Sequence, residues 1–167
     1  MNHVLDGDPF RYPGLSMQYR LCPHGPFGVA TSLVLSELCG SRRLPGQLLQ
    51  SISTIFNGEQ TLDGAEPAGY EIGPWKCRSM CDDEPDGNVP EDAYFAWVSP
   101  LFWDYDPPVV IYTRADFMTL FEDCCRNYVA ALKIPSPFNP EPIDRSKEFA
   151  EALSVNGMSL IPSVDRP

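Results

Sequence analysis

The passage that most constrains the fold is the apolar run Val109-Val110-Ile111-Tyr112, which leads directly into a long helical pattern. Thr113 stands three residues before Asp116, close to the spacing of a capping box. Phe117, Leu120, Phe121, Cys124, Tyr128, Ala131 and Leu132 then recur at i, i+3, i+4 and i+7, which predicts an amphipathic helix from Arg114 to Leu132. Pro135-Ser136-Pro137 ends it, since proline cannot continue a helix. An apolar face that wide must be buried against something flat, and the simplest candidate is a sheet containing the preceding strand. Because residues 109–112 are apolar on both faces, they are expected to form a central strand.

The rest of the chain is broken into short pieces. It holds 18 prolines in 167 residues, roughly twice the usual frequency of about 5%. Residues 1–14 are expected as an irregular arm, 17–21 as a short strand, and Cys22 to Pro26 as a turn. Val29, Leu33, Val34 and Leu38 have helical spacing before Gly40, so residues 27–39 are assigned to helix. Leu48, Leu49, Ile52, Ile55 and Phe56 form a clear apolar stripe, with Asn57-Gly58 as its left-handed stop. Thr61 to Ala68 reads as loop. Gly69 to Cys77 reads as a strand interrupted at Gly73-Pro74, and Ala93 to Val98 as a strand by β-propensity. Asp144 can cap a final helix carrying Phe149, Ala152 and Leu153, with a loosely attached tail from about 155 to 167. Runs of strands and helices without regular βαβ alternation predict a single α+β domain, residues 1–167. Its sheet is expected to be mainly antiparallel, with helices on one face and proline-rich loops.

Charge is distributed unevenly over this frame. Asp and Glu number 23 against 12 Lys and Arg, a formal charge of -11. Cys81 to Asp92 contains Asp82, Asp83, Glu84, Asp86, Glu91 and Asp92 and no basic residue, and Phe102 to Pro108 interleaves Trp103 and Tyr105 with Asp104 and Asp106. Such a surface repels nucleic acid and anionic membrane and attracts a basic protein. The carboxylates would steer the partner at long range, and Trp103 and Tyr105 would serve as rigid anchors. The N-terminus lacks the basic and apolar regions of a secretory signal, and no apolar run approaches the length of a membrane span. The expected compartment is the cytoplasm, with the six cysteines mostly reduced.

Other chemistries are less well supported. Cys22, His24, Cys77 and Cys81 supply zinc-type ligands, but at Cys-x-His and Cys-x3-Cys spacing rather than in paired knuckles. Asp82, Glu84, Asp86 and Gly87 imitate the first half of a calcium loop, whose twelfth position is Ala93 instead of glutamate. With two histidines, His3 and His24, and no nucleophile elbow, phosphate loop or His-Glu-x-x-His, no catalytic constellation is legible. Asp104 and Asp106 could act as an acid pair only within a pocket. No metal or cofactor is expected. A small metal- or cysteine-dependent enzyme using Cys22, His24, Cys77 and Cys81, and an acidic adaptor, stand as alternatives.

In overall character, and in the strand-to-helix passage from Val109 to Phe121, the chain resembles the immunity proteins of bacterial contact-dependent-inhibition and polymorphic toxin systems. The resemblance implies a non-catalytic protein that neutralises a cognate toxin by covering its active site or substrate-binding face. A nuclease toxin, with its basic cleft, would match the acidic surface.

Overall fold

The structure, a computed structural model, describes residues 25–39, 46–64, 69–85, 87–101, 103–135 and 141–165. The arm at 1–14, the strand at 17–21, Cys22 and His24 lie outside the described residues, as do Asp86 and Phe102. Among the described residues, four helices and a four-stranded antiparallel sheet make an α+β domain.

Helix α1, Pro26–Leu38, begins with proline at its first turn, behind Gly25 at φ 61°. Nearly all of its side chains are buried, because it crosses the sheet on one side and packs against a helix on the other. A helix so placed needs an apolar surface all round rather than a stripe. Helix α2, Gln47–Phe56, buries Leu48, Ile52, Ile55 and Phe56. It stops before Gly58, which holds φ +74° as the expected left-handed residue.

The sheet is a meander of β1 Leu62–Gly64, β2 Tyr70–Pro74, β3 Tyr94–Val98 and β4 Val109–Tyr112, in that spatial order. β1 lies where the sequence reads as loop; its three residues are too few to show a period. β2 gives way to a 3-10 turn at Trp75–Cys77, earlier than expected. Gly73 is required there: a Cβ would sit 3.0 Å from the Thr61 backbone, and its φ is +139°. Among the described residues β4 has a strand on one side only, where a central strand was expected. The residues Trp75, Cys81 and Ala93 cover the outer face on which Val109 lies.

Helix α3, Arg114–Leu132, has the expected bounds, and the Thr113 hydroxyl accepts the Asp116 N–H at 3.1 Å. Its buried face, with Phe117, Phe121, Cys124, Cys125, Tyr128 and Val129, is rotated slightly away from Leu120 and Ala131. Phe117 centres an aromatic cluster, 5.0 Å from both Phe27 and Tyr94, while Phe56 lies 5.3 Å from Phe121. Edge-on and tilted contacts of this kind add to the area that each ring buries. Helix α4, Ser146–Val155, packs Phe149, Ala152 and Leu153 into the same core beside α2. Asp144 accepts the Ser146 N–H at 2.9 Å and its hydroxyl at 2.6 Å, but it stands one residue before the N-cap expected of it, which is Arg145 and makes no side-chain cap bond.

The tail is more firmly attached than expected. Met158 is buried, Ser159 N–H donates to Glu122 Oε1 at 3.1 Å, and Arg126 donates to the Ser159 carbonyl at 3.3 Å. Among the described residues no helix is long and apolar enough to cross a membrane.

Candidate partner-binding surface

The strands alternate their side chains between two cores. Tyr70, Ile72, Tyr94, Ala96 and Val98 face the helices. Phe95, Trp97 and Val109 face outward and are covered by Trp75, Cys81, Ala93 and the partly buried Met80 and Val89. This second core is closed by the segment between β2 and β3, the acidic stretch of the sequence.

Glu71 holds that segment down. It is fully buried in β2, opposite Trp97. Its Oε1 accepts from the Thr61 hydroxyl at 2.7 Å, the Ser79 N–H at 2.7 Å and the Ser79 hydroxyl at 3.1 Å. Its Oε2 accepts the N–H groups of Met80 and Cys81, both at 2.9 Å. A carboxylate can satisfy a bend in which three consecutive backbone N–H groups converge, and so replaces the water a loop would otherwise need. Nearby, the Trp97 indole N–H donates to Asp83 Oδ2 at 2.6 Å. Arg78 lies 4.0 Å over the Trp75 ring and 3.8 Å from Glu84. Burial, above all, pushes the Cys81 thiol up to about 12; its S–H donates to the Asp83 carbonyl at 3.6 Å.

The sequence-predicted residues divide into three groups. Asp82, Glu84, Glu91, Asp92, Asp104 and Asp106 are exposed. Asp83 is half-buried and structural. Trp103 is only 2% exposed and packs in the helix-side core, so it is not a surface anchor; its backbone N–H turns back to the Ser99 carbonyl at 3.0 Å. Tyr105 is half-buried against the same core. Among the described residues of this connection, Leu101 is a large apolar side chain left exposed, at 82%.

The carboxylates do not form one patch. Glu91 and Asp92 precede Tyr94, which pairs with Tyr112, at one end of the β3–β4 ladder. Asp104 and Asp106 precede Val109, which pairs with Trp97 at the other end. They bracket β4, whose four residues span about 10 Å. Beside β4 lies a cleft of about 270 Å3 lined by Pro90, Asp92, Ala93, Ile111 and Tyr112, among others.

A second acidic site was not anticipated. Tyr70 donates to Glu37 at 2.6 Å, on a cleft of about 150 Å3 that Asp63 also lines. Burial, then the charges of Glu71 and Glu37, hold the Asp63 carboxyl above its ordinary range. For Glu71, likewise not anticipated, the available signal was an acid alone between strand apolars in Tyr70-Glu71-Ile72.

Cys77 and Cys81 do not converge on a common point: Cys77 S–H approaches the Gly58 carbonyl at 3.6 Å, whereas Cys81 turns to Asp83. Cys22 and His24 lie outside the described residues. Among the described residues no group of three or more His, Cys, Asp or Glu side chains is arranged to hold a metal. No family model, curated protein or solved structure matches this chain.

Proposed function

We propose that this chain is a non-catalytic binding protein of the immunity type, acting in the cytoplasm, which neutralises a basic protein toxin by covering its active site or substrate face. The observation that carries this reading is the fixing of the acidic segment. Glu71 and Asp83 are spent on holding it, while Asp82 and Glu84 project from it into solvent. Charges held in place before encounter lose less freedom on binding than charges on a loose loop. The anchor role moves from Trp103 to Leu101, which stands in solvent within the connection that carries Asp104 and Asp106. Burying a leucine side chain contributes about 1.5–3 kcal/mol.

The test begins with co-purification of the product of the adjacent gene, followed by association kinetics over a salt series. Replacing Asp82, Glu84, Glu91 and Asp92 by their amides should slow association and flatten its salt dependence, as loss of steering does. Leu101→Ala should instead speed dissociation. Binding that is unchanged in rate and salt dependence for both variants would refute the proposal.

A further inference from the structure

Two clefts meet at the end of the sheet where Tyr94 pairs with Pro74 and with Tyr112. One, of about 170 Å3, lies between Gly58, Lys76, Glu91 and Arg114; the other is the 270 Å3 cleft beside Ile111 and Tyr112. They share Asp92, Ala93 and Arg114, and so form one continuous groove. Four charged side chains line it, two of each sign: Lys76, Arg114, Glu91 and Asp92, all exposed. Among the described residues none of the four forms an ion pair. The cations are held elsewhere. Arg114 donates to the Phe56 carbonyl at 2.9 Å, and its guanidinium lies 5.9 Å from the Phe56 ring. Lys76 lies over Gly58, where a Cβ would be 3.8 Å from its Nζ. Opposite charges kept apart around one groove leave both signs unsatisfied at the same place.

We propose that this groove binds a small zwitterion, a free α-amino acid with a large apolar side chain. The site goes beyond the partner-binding reading and needs no second protein. The charges of the walls select the ligand. A simple anion in the groove meets Glu91 and Asp92, and a simple cation meets Lys76 and Arg114, whereas a molecule carrying both charges satisfies both pairs. Its carboxylate takes the donors that Arg114 retains beyond Phe56, together with the Lys76 ammonium. Its ammonium goes to Glu91 and Asp92. The adjoining cleft, walled by Pro90, Ala93, Ile111 and Tyr112, receives the apolar side chain. Neither cleft reaches the roughly 300 Å3 at which drug-sized sites begin, which suits a ligand the size of one amino acid.

The test is a titration of the whole chain followed by residue-resolved NMR, with free leucine and three molecules that each lack one of its parts. Leucine should shift the signals of Lys76, Asp92, Ile111 and Arg114 to saturation. Leucinamide, without the carboxylate, and isocaproate, without the ammonium, should each bind about tenfold more weakly, the scale of one lost charge-assisted hydrogen bond. Glycine, without the side chain, should be weaker by at least as much. Lys76→Gln and Asp92→Asn alter exposed side chains and leave the core untouched. The first should shrink the advantage of leucine over leucinamide, and the second its advantage over isocaproate. The four-ligand series on the unaltered chain decides the question even if a variant does not fold. Leucinamide or isocaproate binding as tightly as leucine would overturn the zwitterion. Shifts from leucine that fail to saturate, or that saturate away from the groove, would overturn the site.

Discussion

Glu71→Gln tests whether one buried side chain holds the acidic segment. The substitution keeps shape and volume and exchanges one accepting oxygen for a donating amide. The amide has two orientations. With its oxygen at the Oε2 position it still accepts from Met80 and Cys81, and its NH2 group then faces the Ser79 N–H, donor against donor. The Thr61 and Ser79 hydroxyls can rotate to accept. The opposite orientation orphans the Met80 and Cys81 N–H groups instead, so the first is preferred. One buried N–H left without an acceptor costs about 1–3 kcal/mol. The two retained bonds fall from charge-assisted to neutral strength, a loss of roughly 1 kcal/mol each. Relief from burying a charge offsets part of this. The expected net loss is about 2–4 kcal/mol, a large share of the roughly 5–15 kcal/mol that holds a domain folded. Urea unfolding followed by tryptophan fluorescence reads it directly, because Trp75 and Trp97 lie in the core under the segment. A fall below about 0.5 kcal/mol, the scatter of ordinary surface substitutions, would show that the segment stays in place without the carboxylate.

Phe121→Ala empties a fully buried site between α3 and Phe56 and should cost about 3–5 kcal/mol in the same assay; a loss under ~1 kcal/mol would mean that the helix face is not core. Burial raises the Cys39 thiol to about 11 and the Cys81 thiol to about 12, so both should resist alkylation in the folded protein at pH 8 and react once urea unfolds it. Rapid labelling of Cys81 in the native protein would contradict its placement under the loop. Asp63 is held above its ordinary range by burial and by Glu71, so the folded state loses stability as pH rises through the interval between the unfolded and folded values. Asp63→Asn should therefore raise the urea midpoint at pH 7, and the advantage should disappear below pH 3.8, where both side chains are neutral. An advantage that persists in acid would point to a different cause.

Features governed by local rules were legible in the sequence, and those governed by distant neighbours were not. α3 follows from its cap and its period, both contained within residues 113–132, and β3 follows from the β-propensity of residues 94–98. α4 is legible through the spacing of Phe149, Ala152 and Leu153, which form its buried face. The position of β4 in the sheet depends on how many strands lie beside it, which an apolar run does not encode. Trp103 lies in a turn just before Asp104 and Asp106, yet its backbone N–H bonds back to the Ser99 carbonyl and its ring is buried; burial here is a property of chain direction, not of the acids that follow. The exposed acids were found at their positions, but the division between those that hold the loop and those that face solvent required the tertiary contacts of Glu71 and Trp97.

The closure of the outer core by an irregular segment separates two tasks along one stretch of chain. Glu71, Asp83, Cys81 and Trp97 are committed inward, and any change at these sites is paid in folding. Asp82, Glu84, Gly87 and Asn88 alternate with them or follow them and point into water. The side chains of Asp82, Glu84 and Asn88 can be exchanged with the scaffold unchanged beneath them, whereas Gly87, at φ +86°, must stay glycine. A lineage built this way can acquire a new specificity by drift at a few outward positions, and a combinatorial library confined to them would sample recognition without sampling misfolding.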